Sequence, residues 1–151
     1  MYSRILVAVD GSHSSELALQ HSFNLARQLD ARLRILHVVD ESYAANWDAE
    51  FGDPTEIWNA MALTGRKIID NASAGATKAG LEVDTKLIEV NNPGRRVAEV
   101  IREEADAWEA DLIVVGTHGR RGLSHMFLGS VAEGIVRIAN QPVLLVREKQ
   151  R

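Results

Sequence analysis

Residues 4–12 read RILVAVDGS, in which five of the first six residues are apolar and a polar, glycine-containing turn follows. A short apolar run that ends at such a turn is typical of a parallel strand buried on both faces. Apolar residues then recur at helical spacing over residues 13–30, and Ser12 or Ser14 is available as the N-cap. This stretch therefore predicts a strand, a turn and a helix, in that order.

The same alternation continues to the end of the sequence. Apolar runs predict further strands at 33–39, 83–90, 111–115 and 143–146, and helical spacing predicts helices at about 55–79, 93–108 and 130–139. Gly80 is the predicted C-terminal stop of the second helix, and Asn92 the predicted N-cap of the third, with Pro93 in its first turn. In the last helix, we expect Val131, Ile135 and Ile138 to face inward.

The order of these elements is βαβαβαβαβ, which predicts an α/β fold with an open five-stranded parallel sheet and helices on both faces. In such sheets ligands bind beyond the carboxyl ends of the strands, where the strand order reverses. The ends of the first and fourth strands, at Asp10 and Gly116, are therefore the predicted location of a site.

Length and composition narrow the classes of protein. With 151 residues, 46% of them hydrophobic and 25% charged, the chain is predicted to fold as one domain over residues 1–151. A net charge of −4 argues against a nucleic acid as the main partner. The absence of cysteine excludes disulfides, thiol catalysis and thiolate zinc sites, and fits a reducing compartment. The first apolar run is too short for a membrane span and lacks the pattern of a signal peptide, so we expect a cytoplasmic protein without membrane contact.

The region from Asp40 to Pro54 fits neither a regular helix nor a strand. It carries Tyr43, Trp47 and Phe51 between polar residues. A loop packed on its own aromatic side chains and a flap or partner surface both fit this pattern.

The candidate site motif follows the fourth strand, where residues 116–131 read GTHGRRGLSHMFLGSV. Gly116 and Gly119 allow close backbone approach to a phosphate chain, and Gly129, Ser130 and Val131 open a helix whose first amides can face an anion. The alternative is that the glycines only mark turns and that Ser130 is an ordinary N-cap. Neither a P-loop ending in Gly-Lys-Ser/Thr nor a GxGxxG after the first strand is present in the sequence.

Several segments together resemble the universal stress protein family: ILVAVDGS (5–12), HVV (37–39), ADLIVVGTHG (110–119), LGSVAE (128–133) and QPVLLV (141–146). The resemblance spans the chain and implies a Rossmann-like fold of the adenine nucleotide α-hydrolase type, with strand order 3-2-1-4-5. The glycine and serine spacing matches the ATP-binding branch of the family.

The resemblance also implies roles for particular residues. Asp10 would lie near the ribose and phosphates, Val38 would meet the adenine through its backbone, and Ala8 and Val9 would line the crevice. Five residues would hold the phosphates: Gly116, Gly119, Gly129, Ser130 and Val131. Thr117 and His118 would lie close by. Magnesium would arrive with ATP, and a homodimer would form through strand Val143–Val146, the alternative being a covered edge in a monomer.

Other interpretations of the same residues stay open. Asp10 also fits a turn that caps the next helix, and Arg120 and Arg121 fit either phosphate contact or solvent. His118 could act as a base, but the spacing supplies no carboxylate to orient it, so no catalytic residue is assigned. The other histidines lack the spacing of metal ligands.

The predicted function is that of an ATP-binding regulatory or stress-response module whose nucleotide state a protein partner reads. The alternative is a slow ATPase or an autophosphorylating enzyme that uses the same pocket.

Overall fold

The computed structural model describes residues 1–40, 52–92, 94–118 and 128–148. The strands are β1 (Arg4–Ala8), β2 (Arg32–Asp40), β3 (Val83–Val90), β4 (Leu112–Gly116) and β5 (Val143–Val146). The helices are α1 (His13–Leu29), α2 (Pro54–Lys78), α3 (Val97–Ala107) and α4 (Ser130–Ile138). Within these described ranges, no helix is long and apolar enough to cross a membrane.

The strands form one parallel sheet in the order β3-β2-β1-β4-β5, as predicted. The chain passes from β1 outward to β2 and β3, then crosses back to β4 on the other side of β1. The order therefore reverses between β1 and β4, and this is where open sheets of this kind leave a crevice at their carboxyl edge.

Helices cover the sheet on both faces. Helices α1 and α2 pack on the face that carries Ile5 and Val7, whereas α3 and α4 pack on the face that carries Leu6. Because neighbouring residues of a strand point to opposite faces, a strand covered on both sides buries apolar side chains at successive positions. This explains the uninterrupted apolar run of β1, in which Ile5, Leu6 and Val7 are all fully buried.

The ends of two helices follow the sequence signals. Ser12, and not Ser14, is the N-cap of α1, because its hydroxyl accepts a hydrogen bond from the Ser15 amide. At the end of α2, Gly80 has φ +77° and the amides of Gly80 and Leu81 donate to the carbonyls of Thr77 and Ala76. This pattern is a Schellman motif with glycine in the left-handed position, so the predicted stop is confirmed.

Two details of the prediction are wrong. Helix α3 begins at Val97 with Arg96 as its N-cap, because the Asn92 carboxamide accepts from the Gly94 amide and forms a local turn; Pro93 lies outside the described residues. In α4, Val131 does not face inward but is 36% exposed, and Ala132 and Ile135 are the buried residues.

Candidate functional site

Two backbone segments meet at the carboxyl edge of the sheet, where β1 and β4 diverge. One is the strand-end arm, residues 116–118, and the other is the start of α4. The Gly129 amide donates a hydrogen bond to the Thr117 carbonyl with a nitrogen–oxygen distance of 2.6 Å. Thr117 and Gly129, which belong to the two halves of the glycine motif, are therefore in direct contact.

The N-cap residue of α4 is a glycine, which has no side chain. Gly129 is the N-cap with φ −62° and ψ 155°, and it makes no side-chain capping bond. Ser130 is consequently the first residue of the helix and not its N-cap, which corrects the capping alternative. Because the first amides of a helix have no intrahelical acceptor and the helix dipole is positive there, this end suits an anion.

Three serines at the start of α1 connect the surrounding backbone. The Ser15 hydroxyl accepts from the Asp10 amide and donates to the Ser12 carbonyl, both at 3.2 Å. The Ser12 hydroxyl, which caps α1, donates to the His118 carbonyl at 3.3 Å. The Ser14 hydroxyl accepts from the His118 amide at 3.3 Å and donates to the Val146 carbonyl at 3.4 Å. We name these three residues the serine cluster. It ties the strand-end arm to α1 through the amide and the carbonyl of His118.

Gly116 has a close neighbour inside the protein. A Cβ atom at this position would lie 2.4 Å from the Ser14 hydroxyl oxygen and 2.7 Å from the Ser14 backbone carbon. The glycine therefore lets the first turn of α1 approach the end of β4. Close approach was predicted at this residue, but the group that the structure brings there is Ser14.

Asp10 stands at the end of β1 and takes part in a local turn. Its carboxylate accepts a hydrogen bond from the Ser12 amide at 2.9 Å, and Gly11 has φ +82°. The turn interpretation of this residue is therefore confirmed, and it places a carboxylate beside the strand-end arm that Ser12 contacts.

The predicted adenine side contains Ala8, Val9 and Val38. Val9 is buried in the core, and its amide and carbonyl are bonded to the Leu36 carbonyl at 2.9 Å and to the His37 imidazole at 2.6 Å. Pairing of β1 with β2 ends at Ala8 and Leu36, whereas β2 continues to Asp40. Since backbone groups of alternate residues face the same neighbouring strand, those of Val38 point to the side on which β1 has ended.

Thr117 and His118 form a contact of their own. The Thr117 hydroxyl lies 3.0 Å from the His118 Nδ1 atom, and Thr117 is only 1% exposed. This hydroxyl is therefore a buried structural group, while its backbone carbonyl serves Gly129.

Three of the predicted groups lie outside the described residues: Gly119, the pair Arg120 and Arg121, and residues 41–51 of the irregular region. In the parts of the chain that the structure describes, no three His, Cys, Asp or Glu side chains come together in a way that could hold a metal ion.

Fold and site together define an open α/β protein with its candidate anion site at the switch point of the sheet. The model of the universal stress protein family matches residues 1–147, so the chain belongs to that family. A universal stress protein of Methanocaldococcus jannaschii is 33% identical over 151 residues, which cover 100% of this chain and 85% of that relative.

Solved structures agree with this assignment. A protein of the universal stress protein family from Burkholderia pseudomallei superimposes with a TM-score of 0.76 at 36% identity, covering 96% of both chains. A universal stress protein in complex with cAMP superimposes with a TM-score of 0.64 at 27% identity, covering 97% of both chains.

Sequence reasoning missed Ser14 and Ser15 as parts of the site. The available signal was the presence of three serines within residues 12–15, directly after a buried strand. One serine suffices as an N-cap, so the other two invited a second explanation.

Proposed function

We propose that this protein binds ATP, accompanied by magnesium, at the carboxyl edge between β1 and β4, and that it acts as a nucleotide-dependent regulatory module. The phosphates would lie against the start of α4 and the strand-end arm. The observation that carries the proposal is the hydrogen bond from Gly129 to the Thr117 carbonyl, because it holds both halves of the motif within reach of one anion chain.

The electrostatics of the site support an anionic ligand. Gly129, the N-cap of α4, has no side chain that could bond the first amides of the helix, and these amides suit an anionic ligand. The proposed phosphate contacts are the backbone groups of Ser130 and Val131, with Gly119 and His118 alongside. Gly116, Thr117 and Gly129 have a supporting role, because Ser14 packs against Gly116 and the Gly129 amide donates to the Thr117 carbonyl. Magnesium would be held chiefly by the phosphates themselves, since Mg²⁺ bound with a nucleotide usually takes no more than one or two protein carboxylates.

Adenine is the proposed base. A family member at 27% identity is known in complex with cAMP, which supports an adenine nucleotide as the ligand class. The outward-facing backbone of Val38 suits recognition of a base edge, with Ala8 and Val9 beside it and Asp10 near the ribose and phosphates. The buried side chain and bonded backbone of Val9 limit this residue to a supporting role.

Nucleotide binding would act by favouring one oligomeric state of the chain. A protein partner in the cytoplasm would recognise that state. Strand β5 lies at one edge of the sheet and its residues are only partly buried. An edge of this kind can pair with its copy in a second chain, so a homodimer through Val143–Val146 is proposed. Light scattering tests it: a dimer at micromolar concentration is expected, and a strictly monomeric species would remove this part of the proposal.

Calorimetric titration with ATP, ADP and AMP in the presence of magnesium tests the site. Gly129→Leu places a bulky side chain at the N-cap of α4 and should weaken ATP binding at least tenfold. Gly94→Leu is the matched control, because Gly94 is exposed and a Cβ there meets only the Asn92 side chain at 3.5 Å. Equal affinity of Gly129→Leu and the wild type would refute the phosphate site.

The same preparation distinguishes binding from catalysis. Protein incubated with ATP and magnesium is denatured at intervals, and the released nucleotide is identified by mass spectrometry. Retention of intact ATP is expected for a regulatory module. Repeated turnover, or phosphate transferred to the chain, would favour the slow ATPase or autophosphorylating enzyme instead.

A further inference from the structure

Ser14 is a buried polar residue between the candidate site and the edge of the sheet. It is 1% exposed, yet its hydroxyl makes contacts far away in the sequence. It accepts from the amide of His118, 104 residues away, and donates to the carbonyl of Val146, 132 residues away. One hydroxyl therefore joins the strand-end arm to the last residue of β5.

The backbone around Ser14 forms a continuous set of contacts. The Val146 carbonyl also accepts from the Thr117 amide at 3.1 Å, and the Thr117 carbonyl accepts from Gly129. In the sheet register, Val146 is the partner of Gly116, the residue against which Ser14 packs. The start of α4, the strand-end arm and the end of β5 are thus fixed to one another at the same place.

The choice of side chain at this position is narrow. Alanine would remove both hydrogen bonds and leave the His118 amide without the Ser14 acceptor in a partly buried place. A larger residue would meet the backbone at Gly116, since even a Cβ added to that glycine lies within 2.8 Å of Ser14 atoms. Serine supplies a donor and an acceptor in little more than the volume of alanine.

We propose that Ser14 is a positioning residue of the nucleotide site, which ties the strand-end arm to β5 so that nucleotide binding stabilises β5 against local opening. The inference rests on the proposed function and deepens it. A ligand held by the strand-end arm disfavours states in which that arm is released, and any element bonded to it shares the protection. By linkage, opening of β5 weakens nucleotide binding by the same factor.

Amide hydrogen exchange followed by NMR, together with calorimetry, tests this role in the full chain. In the wild type, saturating ATP should slow exchange at Thr117 and in Val143–Val146 by about tenfold. Ser14→Ala should weaken ATP binding roughly five- to tenfold, the range expected for the loss of a hydrogen bond that positions the site. In this variant, ATP should slow exchange in β5 clearly less than in the wild type, because only the bond from the Thr117 amide to the Val146 carbonyl and the strand pairing remain.

Two variants serve as controls. Ser22→Ala makes the same change at another fully buried serine of α1, whose hydroxyl donates only to the Ala18 carbonyl; affinity and β5 protection should equal those of the wild type. Ser12→Ala removes a contact with the His118 carbonyl but none with β5, so it should weaken binding and keep the protection.

The outcomes are distinguishable. Wild-type affinity and wild-type β5 protection in Ser14→Ala would overturn the role of Ser14 and leave the nucleotide site intact. Should Ser14→Ala not fold, the wild type still decides, because ATP binding without slower exchange at Thr117 and β5 overturns the coupling. Absence of ATP binding by the wild type would refute the proposed function and the coupling together.

Discussion

Different kinds of contact stabilise the carboxyl end and the amino end of the sheet. At the carboxyl end, the serine cluster and Gly116 join backbone segments through small, neutral groups. Nearer the amino end, two arginine side chains lie over one aromatic ring and belong to a group of ion pairs that extends to the middle of β3. We name the second group the charged cluster; its members are Arg4, Arg34, Lys86, Glu104 and Trp108.

The charged cluster fastens α3 to the sheet. The Glu104 carboxylate, with 8% of its side chain exposed, is 2.8 Å from an Arg34 guanidinium nitrogen and 3.1 Å from the Lys86 ammonium. The Arg34 guanidinium also lies 4.7 Å from the centre of the Trp108 ring, and that of Arg4 lies 5.9 Å away. These contacts combine ion pairing with cation–π attraction.

The comparison teaches what a ligand-binding end requires. A crevice that binds through backbone amides stays open only if nearby side chains are short, and serine and glycine meet this condition while still fixing the backbone. Nearer the amino end, large side chains such as Arg34 and Trp108 pack against one another and contribute stability.

The largest effect on stability is expected from a substitution at the carboxyl end of the sheet. Gly116→Ala places a Cβ atom 2.4 Å from the Ser14 hydroxyl and 2.7 Å from the Ser14 backbone. Since backbone cannot move aside cheaply, the free energy of unfolding should fall by about 3 kcal/mol in urea denaturation. Gly75→Ala is the control: its Cβ meets Phe23 at an ordinary 3.6 Å within α2, so stability should rise by about 1 kcal/mol. Equal stability of Gly116→Ala and the wild type would show that this end tolerates larger side chains.

The next effect concerns the charged cluster. Glu104→Gln leaves Arg34 and Lys86 without their shared carboxylate, so the free energy of unfolding should fall by about 2 kcal/mol. This loss is smaller than that for a fully buried ion pair, because Lys86 is half exposed. Glu109→Gln, at a side chain that is 82% exposed, should change stability by less than about 0.5 kcal/mol. ATP affinity should stay unchanged in both variants, and a loss of affinity in Glu104→Gln would contradict the separation of the two ends.

A smaller effect is expected for the cap of α1. Ser12→Ala removes the acceptor of the Ser15 amide and should lower the free energy of unfolding by about 1 kcal/mol. The neighbouring His13→Ala removes an exposed side chain from the first turn and should leave the unfolding midpoint unchanged. If both variants unfold at the wild-type urea concentration, the serine does not stabilise the helix.

The smallest effect should be a gain. Glu109 follows Trp108 with φ +59°, a left-handed conformation that costs energy for any residue with a Cβ atom. Glu109→Gly should therefore raise the free energy of unfolding by about 0.5 kcal/mol, after the extra chain entropy of glycine is subtracted. The midpoint of thermal unfolding should rise slightly as a result. Comparison with Glu109→Gln separates this relief from loss of the exposed pair with Arg4. A midpoint below that of Glu109→Gln would contradict the expectation.

Much of the fold could be predicted because its signals are local. Strand β3 has the same bounds in the prediction and in the structure, since Gly80 before it and Asn91 and Asn92 after it mark the turns on both sides. Asn92 misled the prediction, because an asparagine that closes a turn and one that caps a helix carry the same local signal. Val131 was misplaced since a helix of nine residues offers too few turns to fix which face is buried.

The candidate site was predicted only in outline. Glycine spacing indicated the two segments that meet, and the contact between Gly129 and Thr117 fits that prediction. The spacing could not reveal that Gly116 accommodates Ser14, because a glycine that approaches a ligand and one that approaches a helix look identical in a sequence.

The sequence by itself determined the order and type of the elements, since apolar spacing and turn residues act over a few neighbouring positions. Only the tertiary structure decided which backbone groups share one hydroxyl at the carboxyl edge. Ser14, His118 and Val146 meet because the crossover between β3 and β4 places β4 beside β1, and β5 then pairs with the far side of β4. A contact across more than a hundred residues depends on the path of the whole chain, and no local pattern encodes it.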